Sequence, residues 1–79
     1  MGFFSSIKIF KTKQKIRESL YRIVSLDPQE RETVFRAFVK ELDDGGVSSE
    51  EIIRVVRELR LGGKISEIDK KNLLDLIHQ

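Results

Sequence analysis

Apolar residues recur every three to four positions over most of this 79-residue chain. That spacing is the period of an α-helix that buries one face. Strict alternation of apolar and polar residues is almost absent and no Asn-Gly turn occurs, so the pattern predicts no strands. We therefore expect an all-α fold, a small bundle of about four helices joined by short Gly-Gly turns, in a single helical domain over residues 1–79.

Three of the expected helices have recognisable starts. Asp27 precedes Pro28 and is followed by Glu30, which is the arrangement of an N-cap, a first-turn proline and a capping box. The same pairing of a cap residue with an acid three positions later recurs at Ser48 with Glu51 and at Ser66 with Asp69. Glycine pairs at 45–46 and 62–63 are expected to end the second and third helices. The faces predicted to be buried carry Val34, Phe35, Phe38, Val39, Leu42, Ile52, Val55, Val56, Leu59, Leu73, Leu74, Leu76 and Ile77.

The first helix is expected to begin near Ser5 or earlier, with apolar residues on two opposite faces. One face continues the core stripe and carries Ile9, Ile16, Leu20 and Ile23. The other face, which we call the N-terminal stripe, carries Phe3, Phe4, Ile7 and Phe10. The run 11–15 has no apolar residue and is the expected place for a break. Residues 1–15 are thus a predicted basic amphipathic segment that folds inward, pairs across a dimer or lies on a membrane.

Charge is distributed unevenly around the formal net charge of +2. Residues 1–24 contain six basic residues and one acid, whereas residues 25–79 contain nine basic residues and twelve acids. Such asymmetry points to an anionic partner for the basic part. Lysines that follow aromatic residues are typical of interfacial amphipathic helices, in which each basic residue near anionic lipid contributes about 1 kcal/mol. The residues expected to bind a partner or a membrane, besides the N-terminal stripe, are Lys8, Lys11, Lys13 and Lys15.

Few residues offer catalytic or metal-binding chemistry. The chain has no cysteine and a single histidine, His78, so a disulfide is excluded and a zinc site is not expected. There is no glycine-rich phosphate loop ending in Lys-Ser or Lys-Thr, and the carboxylates fall at cap and helix-surface positions. We expect no enzymatic activity, cofactor, metal or small-molecule substrate. A cytoplasmic location is expected because cysteines, a signal peptide and a long apolar run are all missing, with peripheral membrane attachment as an alternative.

The segment 44–51, Asp-Gly-Gly-Val-Ser-Ser-Glu-Glu, resembles two known helix corners. It is similar to the second half of an EF-hand loop, but in that register the first and third ligand positions fall on Lys40 and Leu42, which cannot coordinate calcium. It also resembles the Asp-Gly-x-Val-Ser-x-x-Glu corner of tellurite-resistance-type helical domains over these eight residues. Capping and turn formation explain the segment without a metal.

A basic ridge is expected on the outer side of the third helix. Its members are spaced three to four positions apart and are Arg54, Arg57, Arg60 and Lys64. With the helix from Ser66 to about Ile77 as a reader, this region resembles a helix-turn-helix that binds nucleic acid. Against that interpretation, the preceding helix is long for the motif and the reader begins with Glu67 and Asp69, which would repel phosphates.

Three functions remain open at this point. The leading hypothesis is a non-enzymatic helical interaction module, a small regulatory or adaptor protein that works through protein–protein contacts and self-associates as a homodimer or binds a partner protein. The first alternative is peripheral association with an anionic membrane through the N-terminal amphipathic helix. The second is a small helix-turn-helix-like regulator that binds nucleic acid.

Overall fold

The computed structural model describes residues 8–42 and 45–78, which fold into a mostly helical structure with a small sheet. Four α-helices and two short strands occur in this part of the chain. Their order is β1 (Lys8–Phe10), α1 (Lys13–Tyr21), α2 (Pro28–Lys40), β2 (Val47–Ser48), α3 (Ser49–Leu61) and α4 (Glu67–Asp75), followed by a 3-10 turn (Leu76–His78).

The predicted starts of α2, α3 and α4 are confirmed. In α2 the backbone N–H of Glu30 donates to Asp27 Oδ1 at 2.7 Å, and the N–H of Asp27 donates to Glu30 Oε1 at 3.0 Å. Ser48 and Ser66 form equivalent reciprocal caps on α3 and α4. Each cap satisfies N–H groups that lack a partner inside the helix, which fixes where the helix begins.

The predicted helix ends differ between α2 and α3. The last residue of α2 is Lys40, with Glu41 as its C-cap, so the glycine pair 45–46 does not terminate it. In α3, Gly62 is the C-cap and Gly63 adopts a φ of +74°, while the N–H of Lys64 donates to the carbonyl of Leu59 at 2.9 Å. This is a Schellman turn, which needs a left-handed residue after the cap.

The sequence pattern missed the sheet. β1 pairs antiparallel with β2, with Lys8 opposite Ser48 and Phe10 opposite Val47 across an irregularity. The prediction of a helix that begins near Ser5 is therefore wrong for residues 8–10. Of the run 11–15, the predicted place for a break, only residues 11–12 are non-helical. Thr12 caps α1 by accepting from the N–H of Lys15, so residues 13–15 already belong to the helix.

Gly46 is the residue that lets β1 approach β2. Its φ is +98°, and a Cβ at this position would collide with the backbone carbonyl oxygen of Phe10. Gly63 also has a positive φ, but the described residues leave open space around the place of its Cβ. A side chain at Gly63 would therefore meet only backbone strain, whereas one at Gly46 would also meet a steric clash.

We expect Gly46→Ala to destabilise the fold by about 2 kcal/mol or more, because strain at positive φ adds to a clash with backbone that cannot rotate away. Gly63→Ala should cost about 1 kcal/mol, from strain alone. Urea unfolding followed by circular dichroism measures both. Equal losses for the two variants would contradict the close approach of β1 to Gly46.

The core contains residues from every helix and both strands. Phe10 from β1 packs against Phe38 from α2, with ring centroids 5.8 Å apart and planes at 33°. The fully or nearly fully buried apolar side chains are Phe10, Ile16, Leu20, Ile23, Leu26, Val34, Phe38, Val47, Ile52, Val55, Val56, Ile65, Leu73 and Leu76. The helix faces predicted from periodicity are the faces that this core buries or half-buries.

One carboxylate is buried with the apolar residues. Asp69, 1% exposed, accepts at Oδ1 from Ser25 Oγ at 2.6 Å and at Oδ2 from the backbone N–H of Ser66 at 3.0 Å. Asn72 Nδ2 in turn donates to Ser25 Oγ at 3.1 Å. Burial alone would raise the pKa of the Asp69 carboxyl, but the hydrogen bonds from Ser25 and Ser66 outweigh it and hold that pKa below its usual value.

We expect Asp69 to contribute to a loss of folding stability as the pH is lowered. Because its folded-state pKa is lowered, it contributes stability above the pKa of an unfolded aspartate, about 3.9, and loses it as the pH falls through the folded pKa. We expect the difference in free energy of unfolding between wild type and Asp69→Asn, measured in urea, to become smaller as the pH is lowered from about 6 to about 3. Asp75→Asn, at an exposed site of the same helix, should differ little from wild type in free energy of unfolding over the same pH range. A difference for Asp69→Asn that does not change with pH would refute this role.

Candidate functional site

Phe10 does not lie on an exposed surface, contrary to the prediction for the N-terminal stripe. Phe10 is 3% exposed and packs against Phe38, so it belongs to the core and is not available to a partner or a membrane. The reason is the strand: β1 turns Phe10 inward where a helix would have turned it outward. Phe3, Phe4 and Ile7 lie outside the described residues, and their assignment to a binding surface stays a prediction.

The N-terminal lysines occupy two environments. Lys8 is half-buried, and its Nζ donates to the carbonyl of Gly46 at 3.3 Å, which ties it to the β2 side of the sheet. Lys11, Lys13 and Lys15 are exposed around the start of α1. These three are exposed cations around the first turn of α1, whereas Lys8 also has a structural role.

The members of the predicted basic ridge contact different neighbours along α3. Arg54 turns towards α2 and forms an ion pair with Glu41, at 2.6 Å between Arg54 Nη2 and Glu41 Oε1, and this carboxylate raises the pKa of Arg54. Lys64 lines a cleft on that same side. Arg57 shares one cleft with Arg54 and a second cleft, towards α4, with Arg60. Three members of the ridge are therefore connected through Arg57, whereas Lys64 lies in a separate cleft.

Arg57 and Arg60 lie beside a groove that sequence reasoning did not identify. α3 packs against α4, and two clefts along their junction share Arg57 and Lys70. One cleft is bounded by apolar side chains of α3 and of the end of α4, and the other by Leu61 at the last turn of α3. We call this surface the α3–α4 groove, and its main lining is Ile53, Arg57, Leu61, Lys70, Leu74 and Ile77.

Large apolar side chains at the groove are open to solvent. Leu61 is 87% exposed, and Ile53 is 36% exposed two turns earlier on the same face of α3. Ile68, 64% exposed, lies in an adjoining cleft on the outer face of α4 that shares Lys70 and Leu74 with the groove. Grouped exposed apolar residues with polar residues around them are the usual mark of an interaction surface, whereas single ones are not.

The groove is also positively charged. Arg60 Nε contacts Glu67 Oε1 at 2.8 Å, and Lys70 Nζ contacts Glu67 Oε2 at 3.2 Å, so two cations share one carboxylate. Hydrogen bonds from Arg60 and then Lys70 lower the pKa of Glu67, which keeps it ionised. Arg57 makes no ion pair with any side chain in residues 8–42 and 45–78, and His78 lines one end of the groove.

A second exposed apolar pair lies elsewhere, on the α1 side. Tyr21 is 65% exposed and Val24 is 88% exposed. The guanidinium of Arg31 lies 5.6 Å from the centre of the Tyr21 ring. Neither residue lines the α3–α4 groove or the clefts that adjoin it. The pair therefore offers a control surface for the groove.

Within residues 8–42 and 45–78, no helix combines the length and the apolar character needed to cross a bilayer.

Comparisons with protein-family models, with curated proteins and with solved structures find no match to this chain.

Proposed function

We propose that this chain is a non-enzymatic helical interaction module, a small regulatory or adaptor protein, and that it binds protein through the α3–α4 groove. The observation that supports this most is the exposure of Ile53 and Leu61 on one face of α3, two turns apart, beside the clefts at the junction with α4. A groove with apolar positions along a helix pair is suited to the apolar face of a partner helix.

The chemistry of the groove favours a protein over a nucleic acid. Apolar side chains alternate with cations along it, while a phosphate backbone would be matched by cations alone. Glu50 and Glu58 border the other side of Arg57, and Glu67 pairs with Arg60 and Lys70. A continuous run of phosphates would meet these carboxylates, whereas a protein segment can place its own charges to suit them.

An amphipathic helical peptide of neutral charge tests the proposal. The peptide carries two leucines seven positions apart with glutamine between them, and it is added to the intact, isotope-labelled chain while amide chemical shifts are recorded. We expect the amides whose chemical shifts change to be clustered at Ile53, Arg57, Leu61 and Leu74. A dilution series without peptide shows whether self-association moves the same amides. If neither peptide nor protein concentration moves them, or if the changes centre on α1, the groove is not an interaction surface.

Membrane association is the second candidate, supported by the exposure of Lys11, Lys13 and Lys15. Vesicles that contain about 30% anionic lipid should pellet the intact chain, and Lys13→Glu combined with Lys15→Glu should weaken this because each basic residue contributes about 1 kcal/mol. Equal pelleting of wild type and the double variant, or none with either, would argue against attachment through these lysines.

A further inference from the structure

We propose that the segment recognised by the α3–α4 groove is an acidic amphipathic helix of a partner protein, with two apolar side chains about seven residues apart and carboxylates between them. This inference rests on the proposed function and specifies the chemistry of the partner. It follows from the order of apolar and charged positions along the groove, from the length of the groove and from its unbalanced charge.

The order of side chains along the groove is apolar, cationic, apolar. At one end, Ile53 and Leu74 provide apolar walls of one cleft, and at the other end lies Leu61. Arg57 and Lys70 line both clefts and so lie between the two ends. A ligand that matches this order has an apolar group at each end and negative charge in the middle.

The length of the groove fits two turns of a bound helix. Ile53 and Leu61 are eight positions apart on α3, which corresponds to about 12 Å at a rise of about 1.5 Å per residue. Side chains at i and i+7 of a partner helix are about 10.5 Å apart and lie on the same face. Those at i+3 and i+4 fall between them, where they would face Arg57 and Lys70.

The charge of the groove calls for carboxylates at these middle positions. Glu67 is shared by Arg60 and Lys70, and Arg57 has no ion pair within the described residues. An apolar partner that covered Arg57 would strip water from an unpaired guanidinium, which is costly unless a carboxylate replaces the water. A bidentate pair with glutamate or aspartate meets that need.

The same charge disfavours a second copy of this chain as the occupant. A symmetric dimer uses the same patch on both subunits, so a two-fold axis through the groove centre would bring Arg57 and Lys70 towards their own copies. Like charges brought together at an interface oppose association. An acidic helix of another protein meets no such repulsion.

The test uses two fluorescent peptides of about 18 residues, long enough for partial helix formation in water. Both carry leucine at i and i+7 and otherwise alanine and glutamine, and they differ only at i+3 and i+4, with glutamate in the acidic peptide and lysine in the basic one. Fluorescence anisotropy with the intact chain at low salt gives both affinities. We expect the acidic peptide to bind about tenfold more tightly or better, because close charge pairs are coupled across interfaces.

A charge swap separates this recognition from damage to the fold. Arg57→Glu should weaken the acidic peptide about tenfold and strengthen the basic one, which an unfolded variant could not do. Arg36→Glu makes the same charge change on α2, beside Glu32, which pairs with Arg17 of α1, and should leave the preference for the acidic peptide in place. Leu61→Ser should weaken both peptides, because it removes an apolar end contact.

The outcomes distinguish this inference from the proposed function. If the neutral peptide moves the groove amides but the acidic and basic peptides bind equally, the groove binds protein and the acidic partner is refuted. If the dilution series shifts the resonances of those amides and no peptide does, the groove again binds protein and the acidic partner is refuted. If a short DNA duplex binds with a steep salt dependence and Arg57→Glu abolishes it while the acidic peptide does not bind, the acidic helix is also refuted.

Discussion

Replacing Phe38 by alanine is expected to destabilise the protein by about 4 kcal/mol, since truncating a buried phenylalanine removes apolar contacts and leaves a cavity. Phe38 has no exposed surface, and its ring contacts Phe10 of β1. A protein of 79 residues has a total stability of only about 4–12 kcal/mol. The variant should therefore keep at most about two thirds of the original stability, and thermal melting followed by circular dichroism should show a markedly lower melting temperature.

Phe35 on the same helix provides the matched control. It is only partly buried, and the guanidinium of Arg17 lies over its ring, 3.7 Å from the centroid. Phe35→Ala should cost about half as much as Phe38→Ala, because less apolar surface returns to water. If the two variants melted within a few degrees of each other, the placement of Phe38 at the centre of the core would be wrong.

Arg31→Met is expected to destabilise the protein by about 3 kcal/mol, because hydrogen bonds from a charged donor are worth about 1.5–3 kcal/mol and several are lost together. The Arg31 guanidinium donates to the backbone carbonyl oxygens of Leu20 and Ile23, each at 3.1 Å, and of Leu26 at 2.8 Å. It thereby fixes the end of α1 and the loop that leads to α2.

Two further variants separate the geometry of Arg31 from its charge. Arg31→Lys keeps the charge but has no planar fork, so it should recover less than half of the loss in urea unfolding. Arg36→Met removes an exposed arginine whose ion pair with Glu32 spans 3.7 Å, and it should change stability by less than about 0.5 kcal/mol. Full recovery by Arg31→Lys would show that charge alone is what the loop requires.

The starts of three helices could be predicted because each depends on residues close in sequence. A cap and its reciprocal acid are three positions apart, as in Asp27 with Glu30, and the apolar period then indicates the buried face. These signals are complete within a single helix, so no knowledge of the rest of the fold is needed to recognise them.

The sheet could not be predicted for the opposite reason. β1 has three residues and β2 has two, which is too short to display alternation. Their pairing joins positions 40 apart in the chain, Lys8 and Ser48, and depends on the close approach at Gly46. Ile9 and Phe10 are apolar neighbours that fit a helix or a strand equally, and only the pairing decides between them.

The groove could not be predicted from the buried helix faces, because three exposed apolar residues in it or beside it lie outside these faces. Ile53, Leu61 and Ile68 are the available signal: large apolar side chains on the exposed faces of well-capped helices. Which arginines remain unpaired could not be foreseen, since that depends on carboxylates from other helices. Arg54, for example, is paired with Glu41 of the α2 end across thirteen positions of sequence.

The central claim is that the α3–α4 groove, and not another exposed apolar surface, binds protein. It is tested by comparing two double variants of the intact chain in the anisotropy assay with the neutral peptide: Ile53→Ser with Leu61→Ser in the groove, and Tyr21→Ser with Val24→Ser on the α1 side. The predicted result is a loss of affinity of about tenfold or more for the groove variant, because a few apolar contacts carry most of the binding energy, and less than about twofold for the α1 variant. Equal affinities of the two variants, or the larger loss at Tyr21 and Val24, would contradict the claim.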